Sequence, residues 1–363
     1  MNTGMIPAAK PIIGDEERAA VDRVLRSGLI AQGPEVAAFE REFADAVVGG
    51  RTTVAVNSGT AGLHLGLLAA GVGPGDEVIV PSFTFAATAN SVALAGATPV
   101  FADIEPDYFG ISSTAVEAVV TARTIGIMPV HLYGHPADLT SLTTVAEKYG
   151  LRLFEDAAQA HGATWRGAPV GSFGVFAMFS LYPTKNMTSV EGGMVVCETE
   201  GIARQLRLLR NQGMDRKYDN EVIGFNARMT DVHAAIGRVQ LAKLPAWTER
   251  RQANARFLDQ NLDGVKVPPV ADGATHVYHQ YTIRVAEDRD GFANALAGEH
   301  GVGTGVYYPI PNHRLPSFGL VLDLPETEKA AAEVLSLPVH PSLSDDDLDR
   351  IATAVNTVAK AGA

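Results

Sequence analysis

The fold class is decided by residues 53–102, which read TVAVNSGTAGLHLGLLAAGVGPGDEVIVPSFTFAATANSVALAGATPVFA. Short apolar runs rich in β-branched residues alternate here with longer helical stretches. We predict strands at 53–56, 77–80 and 98–102, with helices at 59–70 and 86–95 between them. Strands and helices that alternate at this spacing are typical of βαβ units around a mostly parallel sheet. The stretch therefore predicts an α/β fold.

The alternation continues to about residue 200 and then changes character. Further strands are predicted at 125–130, 151–154, 175–179 and 194–197, with helices beginning at 114 and spanning 139–149. Beyond residue 230 we predict a long charged helical stretch at 231–262, interrupted at Pro245, then a strand at 281–285 and helices at 291–300 and 345–360. We therefore expect a large domain of residues 1–245 and a smaller C-terminal α/β domain of residues 246–363.

Composition narrows the class of protein. Hydrophobic residues make up 46% of the 363 residues and charged residues 19%, so a large core can form. The net charge of −12 argues against a general nucleic-acid binder. The single cysteine, Cys197, excludes an intramolecular disulfide and a Cys-based zinc site, and we expect it to be an inert core residue. Without an apolar run of about 18 residues or a signal leader, we expect a cytoplasmic enzyme or small-molecule binder.

A lysine follows one of the predicted strands, in the stretch Ser180-Leu-Tyr-Pro-Thr-Lys185. On such a turn a lysine can simply point into water. Its flanks are apolar, however, and Gly192-Gly193 allows another backbone segment to approach closely. A desolvated lysine has a lowered pKa and can form a Schiff base with an aldehyde.

Two more motifs lie at the ends of predicted strands. Asp156 ends a buried strand, where parallel sheets place their ligands, and it either pairs with a cation such as a protonated pyridine nitrogen or caps the next turn. The turn Asn57-Ser58-Gly59-Thr60-Ala61-Gly62 provides either a phosphate cradle at a helix N-terminus or ordinary N-caps. Together with Phe85, Ser180 and Lys185, these motifs supply what a pyridoxal phosphate site requires: an amine, a carboxylate, an aromatic face and phosphate donors.

On this combination the chain resembles the DegT/DnrJ/EryC1/StrS sugar aminotransferases, which are fold-type-I pyridoxal-phosphate enzymes. The resemblance extends from Ala31-Gln-Gly33-Pro34 through Pro81-Ser-Phe-Thr-Phe85, Glu155-Asp-Ala-Ala-Gln-Ala-His161, Ser180-x-x-Pro-x-Lys185 and Gly224-Phe-Asn226-Ala-Arg228 to Tyr308-Pro-Ile-Pro-Asn-His313. It implies a mostly parallel central sheet with helices on both faces, followed by a smaller C-terminal domain.

The resemblance also implies a role for each site residue. Lys185 would hold the cofactor covalently and then shuttle protons, while Asp156 would keep the pyridine nitrogen protonated. The ring and phosphate contacts would come from Phe85 on the ring face, Gln159 near the ring hydroxyl, and Gly59, Thr60 and Ser180 on the phosphate. Asn226 would complete the site of a neighbouring subunit, which implies a homodimer, and Arg228 and His313 would lie close to substrate. His161 is left without a role.

The implied reaction transfers an amino group from L-glutamate to a nucleotide-linked keto-sugar, giving an amino sugar and 2-oxoglutarate. Some relatives carry histidine instead of the lysine and act as sugar dehydratases, so Lys185 favours transamination. The segment Glu191-Gly192-Gly193 is nearer the form found in enzymes that act at C4 of the sugar, and a 4-keto-6-deoxy sugar is therefore favoured. Neither the nucleotide nor the pathway follows from the sequence.

The alternatives are other pyridoxal-phosphate reactions on the same fold, such as sugar 3-dehydration or amino-cyclitol transamination, and a non-catalytic ligand-binding or regulatory protein. Two motifs are set aside. Gly71-Val-Gly-Pro-Gly75 follows a helix and precedes a strand, the reverse of a dinucleotide-binding loop. The spacing of His276 and His279 does not suit two ligands on one helix face, so we expect no metal.

Overall fold

The computed structural model describes residues 4–361. The α-helices of this part of the chain are α1 (Asp15–Ser27), α2 (Pro34–Val47), α3 (Gly59–Ala69), α4 (Ala87–Leu94), α5 (Ser113–Val119), α6 (Leu139–Tyr149), α7 (Glu200–Arg210), α8 (Asp231–Asn261), α9 (Arg289–His300), α10 (Pro325–Glu333) and α11 (Asp345–Ala361). Short 3₁₀ turns occur at Leu132–Gly134 and Asn312–Arg314. None of the helices between residues 4 and 361 is both long and apolar enough to cross a membrane.

The strands of the same part are β1 (Thr53–Val56), β2 (Glu77–Pro81), β3 (Thr98–Ala102), β4 (Thr124–Ile127), β5 (Arg152–Asp156), β6 (Thr164–Trp165), β7 (Ala168–Pro169), β8 (Phe176–Ser180), β9 (Gly193–Cys197), β10 (Met214–Arg216), β11 (Asp219–Asn220), β12 (Ala274–Thr275), β13 (Tyr281–Arg284) and β14 (Val334–Leu337). The predicted strands at 53–56 and 98–102 and the helix at 139–149 have the predicted bounds, and the other predicted elements differ by a few residues.

A seven-stranded sheet with the order β1-β9-β8-β5-β4-β2-β3 forms the centre of the molecule. Strands β8, β5, β4, β2 and β3 pair in parallel, whereas β9 is antiparallel to both of its neighbours. Six strands therefore run in one direction and β9 runs in the other. The predicted α/β class with a mostly parallel sheet is confirmed.

Helices cover both faces of this sheet, and the alternation along the strands shows how. In β8, Phe176 and Met178 pack in a core with α3, α4 and α7, whereas Ala177 and Phe179 pack in a second core with α2 and α8. In β2, Ile79 faces a third core formed with α5 and α6. Strands that are buried on both faces need nearly continuous apolar sequence, which is why β1, β2, β8 and β9 are buried along their whole length.

The predicted interruption at Pro245 is wrong. Helix α8 runs unbroken from Asp231 to Asn261 with Pro245 inside it. A proline in a helix removes one backbone hydrogen bond, and tertiary packing can compensate for that loss. Here α8 packs against α1 and α2 and also against α11. Packing along the helix therefore lets it continue through the proline.

Beyond α8, the antiparallel pair β13–β14 packs with α9 and α11 around a core of its own. Ile6 belongs to this core and bridges to Val302, so the start of the described chain joins the C-terminal part. The cut at residue 245 therefore falls within a continuous helix. A division into large and small domains is still a prediction.

Candidate active site

A cavity of about 550 Å³ opens at the edge of the sheet where the parallel strands end. Asp156 ends β5, Ser180 ends β8, and Phe85 and Gly59 follow β2 and β1. Because β9 is antiparallel, its first residue, Gly193, lies at the same edge. The cavity wall contains seven of the predicted residues: Gly59, Thr60, Phe85, Asp156, Gln159, Ser180 and Lys185. Chain topology alone brings these distant positions together.

Asp156 is a buried carboxylate with few partners. Its Oδ2 accepts a hydrogen bond of 2.8 Å from the Thr88 hydroxyl, and its Oδ1 accepts one of 3.1 Å from the Ala158 backbone N–H. The bond to Ala158 is the turn cap that the sequence left open as an alternative. Burial raises the pKa of Asp156 above its usual value. Within residues 4–361 it forms no ion pair, so a cationic group in the cavity would relieve the cost of burying it.

Lys185 faces the same cavity. Burial lowers the pKa of its amine to about 8, and the negative charge of Asp156 opposes this shift. Near Lys185 the backbone at Gly193 closely approaches the backbone at Ser58: a Cβ added to Gly193 would lie 2.8 Å from the carbonyl oxygen of Ser58. The expected close approach at Gly192-Gly193 is therefore present, and the amine lies in a pocket rather than in open water.

The N-terminus of α3 forms a further part of the wall. The Ser58 hydroxyl caps the helix by accepting a 3.1 Å hydrogen bond from the Ala61 N–H. The first N–H groups of a helix have no partner inside it, so those of Gly59 and Thr60 are available to an anion. A Cβ on Gly59 would meet Ser180 Cβ and Oγ at 3.2 Å, so a larger residue would push into Ser180.

The ring-binding candidates have unequal surroundings. Phe85 is 56% exposed, as expected of an aromatic face that a ligand or a second chain would cover. Gln159 is fixed at both ends: its Oε1 accepts a 2.6 Å bond from the Tyr133 N–H, and its Nε2 donates to the Tyr308 hydroxyl at 3.2 Å. The Tyr308 ring lies 5.7 Å from that of Phe85. The sequence motif included Tyr308, but the residue was not assigned to the site.

Three of the predicted residues lie outside the cavity wall. Asn226 is exposed and bridges to Asn211, and Arg228 donates a 2.9 Å hydrogen bond to Asn211 Oδ1. His313 is fully buried, with Nδ1 2.7 Å from the Ser82 hydroxyl and Nε2 3.2 Å from Glu328. Within this chain, such burial gives His313 a structural position rather than one open to substrate.

Glu155, to which the sequence analysis assigned no role, binds the backbone of the loop before β8. It is fully buried and accepts 2.8 Å hydrogen bonds from the backbone N–H groups of Gly171, Phe173 and Gly174. Burial alone would raise its pKa, but His131 and these N–H groups bring the pKa below the usual value. Glu155 therefore fixes the loop before β8, while its neighbour Asp156 faces the cavity.

His161 and Cys197 are buried in the core. The His161 ring packs against Phe179 with centroids 5.4 Å apart, and burial lowers its pKa to about 3. Burial raises the pKa of Cys197, as expected of an inert thiol. In the described part of the chain, no group of three or more histidine, cysteine or acidic residues is arranged to hold a metal ion.

The chain is similar in sequence to several known proteins. A model of the DegT/DnrJ/EryC1/StrS aminotransferase family matches residues 11–356. A pleiotropic regulatory protein of Geobacillus stearothermophilus is 43% identical over 336 residues, 90% of each chain. A UDP-N-acetyl-3-dehydro-alpha-D-glucosamine 3-aminotransferase of Acidithiobacillus ferrooxidans is 40% identical over 346 residues, which cover 94% of this chain and 93% of that protein.

Solved structures share the whole architecture. DesV of S. venezuelae, in complex with a ketimine intermediate, superposes with a TM-score of 0.93 at 39% identity, covering 98% of this chain and 99% of DesV. The PLP-form of Spr1654, a putative sugar aminotransferase of Streptococcus pneumoniae, superposes with a TM-score of 0.93 at 30% identity, with coverages of 98% and 99%. The similarity therefore includes both the central sheet and the C-terminal elements.

Proposed function

Since the chain belongs to the DegT/DnrJ/EryC1/StrS aminotransferase family, we propose that it is a pyridoxal-phosphate-dependent enzyme that transfers an amino group from L-glutamate to a nucleotide-linked keto-sugar. The observation that carries this proposal is that Lys185 and Asp156 face one cavity whose wall includes the N-terminus of α3. An amine, a carboxylate without a cation and an anion-binding helix end match the three functional parts of the cofactor.

The described residues fit the cofactor by their chemistry. The carboxylate of Asp156 has no cationic partner within residues 4–361 and would accept the ring N–H. The free N–H groups of Gly59 and Thr60, with the Ser180 hydroxyl, would hold the phosphate. Phe85 would cover one face of the ring, and Gln159 would lie beside the ring hydroxyl. When bound, pyridoxal phosphate supplies the electron sink that stabilises negative charge at the substrate carbon.

Lys185 performs the proton transfers in this proposal. In the first half of the reaction its Nζ would take the proton from the α-carbon of glutamate and pass it to the cofactor carbon that receives the amino group. In the second half it would move a proton from that carbon to the sugar carbon. A general base must be neutral before it accepts a proton, and a pKa of about 8 leaves part of the population neutral at physiological pH. Asp156 would stay ionised and keep the ring nitrogen of the bound cofactor protonated. The cavity walls reduce access of water to the reacting carbon.

Two observations favour different carbons of the sugar as the position that is aminated. The segment Glu191-Gly192-Gly193 favours a 4-keto-6-deoxy sugar, as the resemblance implies. The relative from Acidithiobacillus ferrooxidans, in contrast, is named as a 3-aminotransferase and is 40% identical. We retain the 4-keto sugar as the first candidate and treat a 3-keto sugar as the second.

We also propose that two copies of the chain share their active sites. Large apolar side chains are exposed near Asn226, among them Tyr218 at 83% and Ile223 at 92%. Single exposed apolar residues are ordinary, but a group of them indicates a surface that another chain covers. A second copy on this surface would carry Asn226 toward its neighbour's cavity.

A regulatory role is the second candidate function, because the 43% identical relative is named as a pleiotropic regulatory protein. The net charge of −12 disfavours direct DNA binding, and Lys185 and Asp156 have no evident use in a purely regulatory protein. Tight binding of duplex DNA by the purified chain would support the regulatory candidate.

The test is a substrate panel with the purified, cofactor-loaded chain. L-Glutamate is offered with 3-keto and 4-keto sugars on dTDP, UDP and GDP, and the products are identified by NMR and mass spectrometry. We expect one amino sugar per 2-oxoglutarate formed. A deoxy-sugar with release of ammonia would indicate dehydration instead. Failure of every keto-sugar, together with turnover of an amino-cyclitol precursor, would overturn the choice of substrate.

A further inference from the structure

His279 lies in the wall of the cavity and has no role in the proposal above. Its ring Nδ1 is 3.3 Å from Oδ1 of Asn186. The orientation of that amide is set on its other side, because Asn186 Nδ2 donates a 2.9 Å hydrogen bond to the carbonyl of Val277. The oxygen of Asn186 therefore faces the imidazole, and it can only accept. This arrangement places the ring proton of His279 on Nδ1 and leaves a lone pair on Nε2.

The backbone that carries His279 is held from several sides. Val277 N–H donates to Gly134 at 3.1 Å, and Gln280 N–H donates to Tyr133 at 3.1 Å. A Cβ on Gly134 would lie 2.9 Å from the backbone nitrogen of His279, so the contact between the two segments requires glycine. The imidazole thus projects from a rigid support.

A buried arginine strengthens that support. Arg251 is only 6% exposed and donates to the carbonyl of Tyr278 at 3.0 Å. Within residues 4–361 it pairs with no carboxylate, so its charge is satisfied mainly by the backbone around His279. Burying an arginine in this way is costly, and what it secures is the position of this segment.

The charge state of His279 suits a hydrogen-bond acceptor. Burial lowers its pKa well below the usual value, and the positive charges of Lys185 and Arg251 lower it further. The ring is therefore neutral at physiological pH. No described residue donates a hydrogen bond to its Nε2, and no described residue accepts one from Lys185 Nζ.

We propose that His279 is a positioning residue for Lys185: its neutral Nε2 is the acceptor that the Lys185 ammonium uses in the cavity, through one water molecule. The inference rests on the proposed function, because it assumes that Lys185 must be aimed into the cavity. The hydrogen bond stabilises the protonated amine and limits the rotation of its long side chain. His279 does not act as the base, because a ring with so low a pKa holds protons poorly.

Two substitutions of His279 distinguish the roles of its two ring nitrogens. His279→Asn places an amide where Nδ1 lies and removes the acceptor, whereas His279→Gln places an amide oxygen near the position of Nε2. In the full-length chain freed of cofactor, the rate of acetylation of Lys185 by acetic anhydride is measured against pH by peptide mass spectrometry. The other lysines of the chain serve as internal controls.

The wild-type midpoint is expected below that of the other lysines, because burial lowers the pKa of the Lys185 amine. His279→Asn should lower that midpoint by about one pH unit, and His279→Gln should restore it. Equal midpoints in wild type and His279→Asn would overturn the inference, and so would equal shifts in both variants, since a purely structural role predicts no distinction between them. The other titratable groups of the cavity wall, namely Asp156, Tyr182, Glu191 and Tyr308, are unchanged in every variant. So is the buried His161, whose pKa the charge of Lys185 helps to lower.

A second measurement is ¹⁵N NMR of the histidine-labelled chain, in which the His279 ring is assigned by its absence from the spectrum of His279→Asn. The assignment is needed because His135 also carries its proton on Nδ1, which faces the carbonyl of Pro136 at 2.7 Å. The His279 ring should hold its proton on Nδ1 and stay neutral down to acidic pH, and a proton on Nε2 of that ring would contradict the inference. Failure of the proposed function is distinguishable from these results. A chain without aminotransferase activity that still shows the midpoint pattern would retain the His279–Lys185 link, whereas an active enzyme without the pattern would reject the link alone.

Discussion

The hydroxyl of Thr88, in α4, donates a 2.8 Å hydrogen bond to Oδ2 of Asp156 at the end of β5. Thr88 itself is held 3.1 Å from the Thr84 hydroxyl, and all three side chains are buried. The helix that follows strand β2 thus fixes the carboxylate at the end of strand β5. This contact determines which face of the carboxylate remains open to the cavity.

Thr88→Val should weaken the enzyme through Asp156. Removing the hydrogen bond raises the pKa of Asp156 further, because the Thr88 hydroxyl stabilises the ionised form. The enzyme needs Asp156 in its ionised form. As the pH is lowered, the variant should therefore lose activity at a higher pH than wild type does. We expect the acid limb of the kcat/KM profile to move upward by about one pH unit. Thr88→Ser, which keeps the hydroxyl, should follow the wild-type profile, and an unmoved limb in Thr88→Val would refute the role of this contact.

Gly59→Ala should weaken cofactor binding. The new Cβ would lie 3.2 Å from Ser180 Cβ and Oγ and would displace a hydroxyl that we assign to the phosphate. We expect the Kd for pyridoxal phosphate, measured by fluorescence titration, to rise about tenfold. Gly73→Ala is the matched control, because a Cβ at Gly73 meets no atom within 4 Å. Similar affinities in the two variants would show that the α3 N-terminus does not hold the phosphate.

Glu155→Gln should destabilise the fold in a pH-dependent way. The folded-state pKa of Glu155 lies below its usual value, so the carboxylate stabilises the protein at pH values above its unfolded pKa. That stabilisation is lost as the pH falls through the folded-state pKa. At neutral pH we expect the free energy of unfolding to drop by about 1–3 kcal/mol. In urea titrations the difference in free energy of unfolding between Glu155→Gln and wild type should disappear at acidic pH.

Glu117→Gln is the control for this substitution, because Glu117 pairs with Lys148 at 3.1 Å on the surface. Surface ion pairs contribute little, so the variant should unfold like wild type at both pH values. If Glu155→Gln has the same small effect as Glu117→Gln, the buried carboxylate does not hold the loop before β8.

Ile223→Asp should dissociate the proposed dimer. Ile223 is 92% exposed in the single chain, and a carboxylate there would have to be buried without a partner in an apolar interface. We expect analytical ultracentrifugation to show monomers, with activity falling in parallel because Asn226 no longer reaches a second cavity. Tyr149→Asp, a change to another exposed apolar residue, should leave both properties intact. A fully active monomer would reject shared sites.

The sequence predicted well what local pattern controls. Strand β3 at Thr98–Ala102 and helix α6 at Leu139–Tyr149 have the predicted bounds, because turn residues punctuate both ends. Strand β4 ends at Ile127, three residues earlier than predicted, since Pro129 has no N–H to donate to a neighbouring strand. The two-residue strands β6, β7, β11 and β12 are too short to show any periodicity, so no pattern predicted them.

The cavity-wall residues that the sequence predicted belong to motifs at the ends of strands, whereas those it did not predict are brought there by tertiary contact alone. Asp156 ends the buried strand β5 and Lys185 lies five residues beyond the end of β8, so the topology brings both to one edge of the sheet. Tyr308 and His279 enter the cavity from segments more than 90 residues beyond Lys185. Their approach depends on contacts with Gln159 and Asn186 that no local spacing reveals.

The central claim is that Lys185 uses pyridoxal phosphate to take an amino group from glutamate. The most direct measurement is the visible absorption spectrum of the cofactor-loaded chain before and after L-glutamate, with 2-oxoglutarate assayed in the same sample. The account predicts a yellow protein whose visible band disappears as one 2-oxoglutarate forms per site, while Lys185→Ala does neither. A colourless wild-type protein, or a yellow one that glutamate leaves unchanged, would contradict it.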